Sequence, residues 1–120
     1  ADIATMGTIE YGALKLGSPL ILVLAHQRCG AVTAACEVAE KGTQLPGDIG
    51  PMVEPIVPAA KAMLGKPGDF IENTARESAR RTAEHIAGES EIIKPLVQQG
   101  KLKIVHGIYE LDTGRVEFLD

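Results

Sequence analysis

A chain of 120 residues, 45% hydrophobic and 23% charged, has the size and balance of one globular domain, since domains run to about 100–150 residues. That excludes a two-domain enzyme and makes residues 1–120 a single domain. The formal charge of −4, from 12 basic and 16 acidic groups with three His neutral, sets up no field to draw phosphate backbones or anionic lipid, so neither nucleic acid nor membrane is expected as a partner.

In chain order, Thr5 to Leu16 places Ile9, Ala13 and Leu16 on one side with Met6 a turn earlier, and Gly17-Ser18-Pro19 ends the pattern. This predicts a helix, although Gly7 and Gly12 weaken it by about 1 kcal/mol each relative to Ala. Leu20 to Ala25 is the longest uninterrupted apolar run, six residues, against the roughly 18 that cross a bilayer. It lies too far inside the chain for a signal peptide, and the protein is expected in the cytoplasm. Being apolar on both faces, the run predicts a central parallel strand. His26-Gln27-Arg28-Cys29-Gly30 makes a short connection, and Ala31 to Glu40 reads as a helix ended by Lys41-Gly42.

Residues 43–69 hold five of the seven prolines and four glycines, which predicts loop broken by at most one helix, around Val53 to Leu64. Phe70 to Ala87 carries Ile71, Ala75, Ala79, Ala83 and Ile86 as a stripe of mostly small side chains at helical spacing. Its other face carries Glu72 with Arg76, Glu77 with Arg81 and Arg80 with Glu84, each spaced for an i,i+4 pair on a solvated surface. Ser90 can cap a further helix through Gln98 that Pro95 bends or shortens. Leu102 to Tyr109 reads as a second buried strand, Asp112-Thr113-Gly114 turns the chain, and Val116 to Leu119 returns as an antiparallel edge strand. The order predicts an α/β fold, a mainly parallel sheet flanked by helices with a C-terminal antiparallel edge strand. Three strands make a thin sheet for that architecture, which points to further strands or to a second chain.

Ligands of open parallel sheets bind beyond the carboxyl ends of the strands, where His26 and Cys29 stand. Imidazole and thiolate are side chains that zinc takes, at about 2.0–2.1 Å and about 2.3 Å, and a two-residue gap across a tight turn lets both point at one ion. A bland reading stands beside it: Cys29 as a small buried hydrophobe and His26 bonded to a backbone group. Cys36, seven residues after Cys29, is about 10.5 Å further along a helix axis, which suits a buried thiol and neither a shared zinc nor a disulfide. His85 and His106 read as surface or core histidines. Asp48 and Asp69 lie in loops, and nothing selects them as ligands.

Gly7-Thr8-Ile9-Glu10-Tyr11, the stretch Pro19 to Val32 around His26-Gln27-Arg28-Cys29-Gly30-Ala31-Val32, and Gly100 to Gly107 with Tyr109 and Leu111 to Val116 resemble the β-class carbonic anhydrases. The likeness runs in order through nearly the whole chain. It implies reversible hydration of carbon dioxide to bicarbonate at a zinc ion, with His26 and Cys29 as two protein ligands and zinc-bound hydroxide as nucleophile. It also implies a homodimer or a higher homo-oligomer. Family members carry an earlier strand ending in Cys-x-Asp-x-Arg, which supplies another ligand and an Asp–Arg pair. That motif does not occur in these 120 residues, so an N-terminal portion with at least one strand is expected to be absent and the site incomplete. No catalytic residue is assigned. Three functions follow: an anhydrase whose site is completed from elsewhere; a non-catalytic relative whose His26 and Cys29 from two chains close a structural Cys2His2 zinc site at a dimer contact; or a protein with Cys29 as a reactive thiol at a helix N-terminus.

Overall fold

The structure, a computed structural model, describes residues 2–119. Helix α1 spans Ile3–Leu14, with the Asp2 carboxylate accepting from the Thr5 backbone N–H at 2.8 Å. It stops short of Leu16, which is 71% exposed and outside the stripe expected of it. Met6, Ile9 and Ala13 do face inward. Strand β1, Leu20–His26, leads into α2, Gly30–Lys41, which Gly42 closes in the left-handed conformation at φ 66°, a position that favours glycine.

Residues 49–63 are more helical than the prolines predict. α3, Ile49–Val53, a 3-10 turn, Glu54–Ile56, and α4, Val57–Met63, follow one another without a gap, where at most one helix was expected. Pro55 and Pro58 each open a new segment, where the missing N–H has no intrahelical partner to lose. α5, Phe70–Glu89, is the long helix, capped by the Asp69 carboxylate on the Glu72 N–H at 2.8 Å. α6 is only Ile93–Gln98, and the Ser90 hydroxyl accepts from the Ile93 N–H at 3.0 Å just before it. Pro95 falls in its first turn, where it is tolerated.

β2, Lys103–Tyr109, pairs parallel to β1 over seven residues, Leu20 opposite Lys103 through His26 opposite Tyr109. β3, Val116–Phe118, returns antiparallel, with Gly107 opposite Phe118. The order is β1-β2-β3, so among the described residues β1 lies at an edge and not at the centre. Its parallel pairing is as the sequence predicts. Alternation sends Ile21, Val23 and Ala25 to one face. There Ile21 and Val23 meet Ala13, Ile86, Ile93 and Leu102, while Ala25 joins Val32, Cys36, Ala60, Ala75 and Ile108. Leu20, Leu22 and Leu24 point the other way and stay 40–53% exposed.

Ala75, Ala79, Ala83 and Ile86 of α5 are buried as the stripe predicts. Glu77, its side chain largely covered at 13% exposure and not on the solvated surface expected of it, holds both Arg80 and Arg81 at 2.7 Å, and Arg80 reaches Glu84 at 2.6 Å. The Arg80 guanidinium bonded to Glu77 pulls that carboxyl down from 4.5 to about 2. The third pair does not form within the helix. Arg76 reaches Glu117 on β3 at 2.6 Å, and Glu72 accepts from Gln27 beyond β1. Both side chains point toward the sheet, where partners from other elements displace a weak i,i+4 pair. Among the described residues no helix is long and apolar enough to cross a membrane.

Candidate metal centre

β1 ends on His26, and Cys29 is the N-cap of α2, so two residues make the whole connection. The turn closes because Arg28 adopts φ 50°, the one non-glycine residue with positive φ among those described. That conformation costs about 1–2 kcal/mol for a residue with a Cβ, so the surroundings must hold it. The Arg28 guanidinium forks onto Asp112 of the β2–β3 turn, at 3.0 and 3.4 Å. These side chains are 61% and 76% exposed, and such a pair contributes only about 0–1 kcal/mol.

Gln27 is held more closely. Its backbone N–H donates to the Tyr109 carbonyl at 3.0 Å, extending the β1–β2 pairing past the strand end. Its side-chain oxygen accepts from the Leu111 N–H at 3.2 Å, and its side-chain nitrogen donates to Glu72 Oε1 at 3.4 Å.

His26 Nδ1 lies 2.9 Å from the Gln27 carbonyl oxygen. A carbonyl only accepts, so Nδ1 carries the proton and Nε2 keeps a free lone pair, the arrangement of a metal-binding imidazole. The Cys29 side chain makes no capping bond to α2. Its carbonyl takes the Thr33 N–H at 2.9 Å and the Thr33 hydroxyl at 2.8 Å, so the backbone is anchored while the sulfur is left to other uses. His26 is exposed, Cys29 half-buried, and both line a cleft of about 190 Å³ between β1 and α5. Ala75, Ser78, Ala79 and Thr82 form its α5 wall. The cleft exists because those side chains are small.

The donor chemistry suits zinc, but it covers half of a four-coordinate shell. Among the described residues no group of three or more His, Cys, Asp and Glu could hold a metal ion. Cys36 is 4% exposed in the core, its thiol bonded to the Thr74 hydroxyl at 3.4 Å and its pKa raised by burial. Asp69 is spent capping α5, and Asp48 is exposed at the start of α3. His85 is exposed on α5, and His106 of β2 lies beside Arg76, Glu77 and Arg80. Gln27 and Glu72 are the residues at this turn that sequence reasoning passed over. Their partnership spans 45 residues, and no periodicity encodes it.

The family model for carbonic anhydrase matches residues 1–116. The chain belongs to the carbonic anhydrase family. A protein named carbonic anhydrase 2 from Mycobacterium tuberculosis is 33% identical over 121 aligned positions, covering 99% of this chain and 58% of that protein. A carbonic anhydrase from Mycolicibacterium smegmatis is 31% identical, with 97% and 56% covered. The fold is that of the β-class. A structure from a study of two tetrameric β-carbonic anhydrases of Sordaria macrospora superposes with a TM-score of 0.83 at 16% identity, over 99% of this chain and 61% of that one. The chain therefore spans less than two thirds of the length of the relatives it matches.

Proposed function

We propose that this carbonic anhydrase chain serves the reversible hydration of carbon dioxide to bicarbonate, with His26 and Cys29 as two of the protein ligands of a zinc ion. The observation that carries the reading is the pair itself: an imidazole whose Nδ1–H is committed to the Gln27 carbonyl, beside an uncommitted thiol at the mouth of the same cleft. Zinc, when bound, would supply a water whose pKa is lowered to about 7. The chain's own part is to present Nε2 and Sγ from a short turn, to orient the imidazole through Nδ1, and to offer a cleft walled by small side chains beside them. A catalytic zinc takes three protein ligands and a water, so the third comes from outside this pair: the remainder of a longer protein or a second copy in a cytoplasmic homodimer or larger homo-oligomer.

The test is zinc content per chain together with stopped-flow hydration of carbon dioxide by the zinc-loaded protein. One zinc per chain, lost in Cys29→Ala along with a rate above buffer, is the expected result. A zinc-loaded protein no faster than buffer overturns the enzymatic reading for this chain. One zinc per two chains, released together with dimerisation, identifies a closed structural site instead.

A further inference from the structure

Between the two ligands of the proposed zinc site sits a side chain that is not a ligand. Gln27 is half-buried, and every polar group it has near the turn is engaged. Its backbone N–H is on Tyr109 O of β2, its side-chain oxygen on the Leu111 N–H of the hairpin, its side-chain nitrogen on Glu72 of α5, and its carbonyl on His26 Nδ1. The amide orientation is dictated, since a backbone N–H can only donate and the Glu72 carboxylate only accepts. No flipped amide satisfies both.

From this geometry we infer that Gln27 is the positioning residue of the metal-binding turn, clamping it between the β2–β3 hairpin and α5 so that its carbonyl holds the His26 imidazole in one tautomer and one orientation. The inference rests on the zinc reading above. The bonds run in series from Glu72 to the Gln27 amide, from the Gln27 peptide to His26 Nδ1, and so to the ring as a whole. If the side chain lets go, the Gln27 peptide can rotate and the His26 ring turns with it. The Arg28–Asp112 fork does not replace the clamp, because both its side chains are exposed at 61% and 76% and screened by water. Sequence distance makes the clamp specific: the amide reaches 84 residues forward to Leu111 and 45 to Glu72, so the turn is set only once the hairpin and α5 have both docked.

The test compares the parent chain with Gln27→Ala and with the exchanged pair Gln27→Glu/Glu72→Gln, in which donor and acceptor trade places while the Leu111 bond is kept. Zinc affinity is read by competition with a chelating dye. Gln27→Ala keeps the backbone carbonyl that His26 Nδ1 bonds and removes only the side chain that holds it, so the expectation is the low end of the roughly 10- to 100-fold loss seen when an outer partner is removed outright, about 10-fold, with the exchanged pair recovering most of it. Nitrogen-15 NMR of the metal-free proteins gives a readout that needs no zinc. The parent is expected to show a fixed Nδ1–H tautomer at His26 and a protected Leu111 amide, Gln27→Ala to lose both, and the exchanged pair to restore both. Zinc affinity within twofold of the parent in Gln27→Ala overturns the inference, as does an unchanged tautomer with unchanged Leu111 exchange. A parent chain that binds no zinc overturns the proposed function, and the clamp is then decided by the metal-free spectra alone.

Discussion

Replacing Gly107 by Ala puts a methyl group where β2 and β3 come closest. A Cβ built there would lie 2.6 Å from the Glu117 carbonyl oxygen, where ordinary contact begins at 3.4 Å. The strands must then part by about 0.8 Å, the difference between those two distances. The obstructing atom is backbone, so no side-chain rotation relieves it. β3 is the element that yields, being three residues long, exposed throughout and paired only with Gly107, Ile108 and Tyr109. Parting it strains the Leu119 N–H to His106 carbonyl bond at 3.0 Å and the Arg76–Glu117 ion pair at 2.6 Å. Inserting a methyl into a well-packed site costs about 1–3 kcal/mol. The low end applies if β3 slides and keeps those bonds, the high end if it detaches. With a urea m-value of roughly 1–3 kcal/mol/M for a small domain, the midpoint falls by about 1 M with m unchanged. Hydrogen exchange should locate the loss at the Leu119 amide, with the Ile93 amide, in the other cluster, untouched. An unchanged urea midpoint with Leu119 still protected would refute the close approach of these strands.

Three further outcomes are expected. Ile93→Ala, at a side chain with no exposure between α1, α5 and β2, should lose about 2–5 kcal/mol in urea unfolding; a loss below about 1 kcal/mol would mean that the cluster collapses onto the cavity. Glu77 has its pKa lowered from 4.5 to about 2, chiefly by the Arg80 hydrogen bond, so its contribution is fully present above 4.5 and fades as pH falls toward 2. In thermal melts across that window Glu77→Gln should show a weaker acid dependence than the parent, and parallel curves would contradict it. Burial raises the Cys36 thiol pKa, and iodoacetamide should therefore label half-buried Cys29 in the native metal-free protein while Cys36 reacts only on unfolding; equal labelling by mass spectrometry would contradict this.

What the chain's order of residues makes plain is whatever depends on spacing along it. The Ile71, Ala75, Ala79, Ala83, Ile86 stripe predicts α5 because residues at helical spacing share a face whatever lies opposite, and the helix spans Phe70–Glu89. Apolar Leu20–Ala25 likewise predicts a parallel strand. It says nothing of neighbours, and β1 proves to be an edge of the described sheet with Leu20, Leu22 and Leu24 uncovered. The prolines of residues 43–69 mark breaks correctly. Pro51, Pro55 and Pro58 also sit in the first turns of consecutive helical segments, where their missing N–H does no harm, so a stretch read as loop with at most one helix holds three in succession.

The site divides along the same line. His26 and Cys29, a strand end and a helix N-cap with two residues between them, follow from local order alone, as does the family likeness that runs through the chain. The His26 Nδ1 bond is to the neighbouring Gln27 carbonyl, but what holds the Gln27 side chain, and with it the turn in which Arg28 takes positive φ, is Glu72, Leu111 and Asp112. Those partners come from α5 and the β2–β3 hairpin. A hydrogen bond between groups 45 or 84 residues apart forms only where packed elements bring donor and acceptor to about 3 Å. Covalent spacing places the two proposed ligand side chains, and only the stacking of helix, strand and hairpin fixes the turn between them.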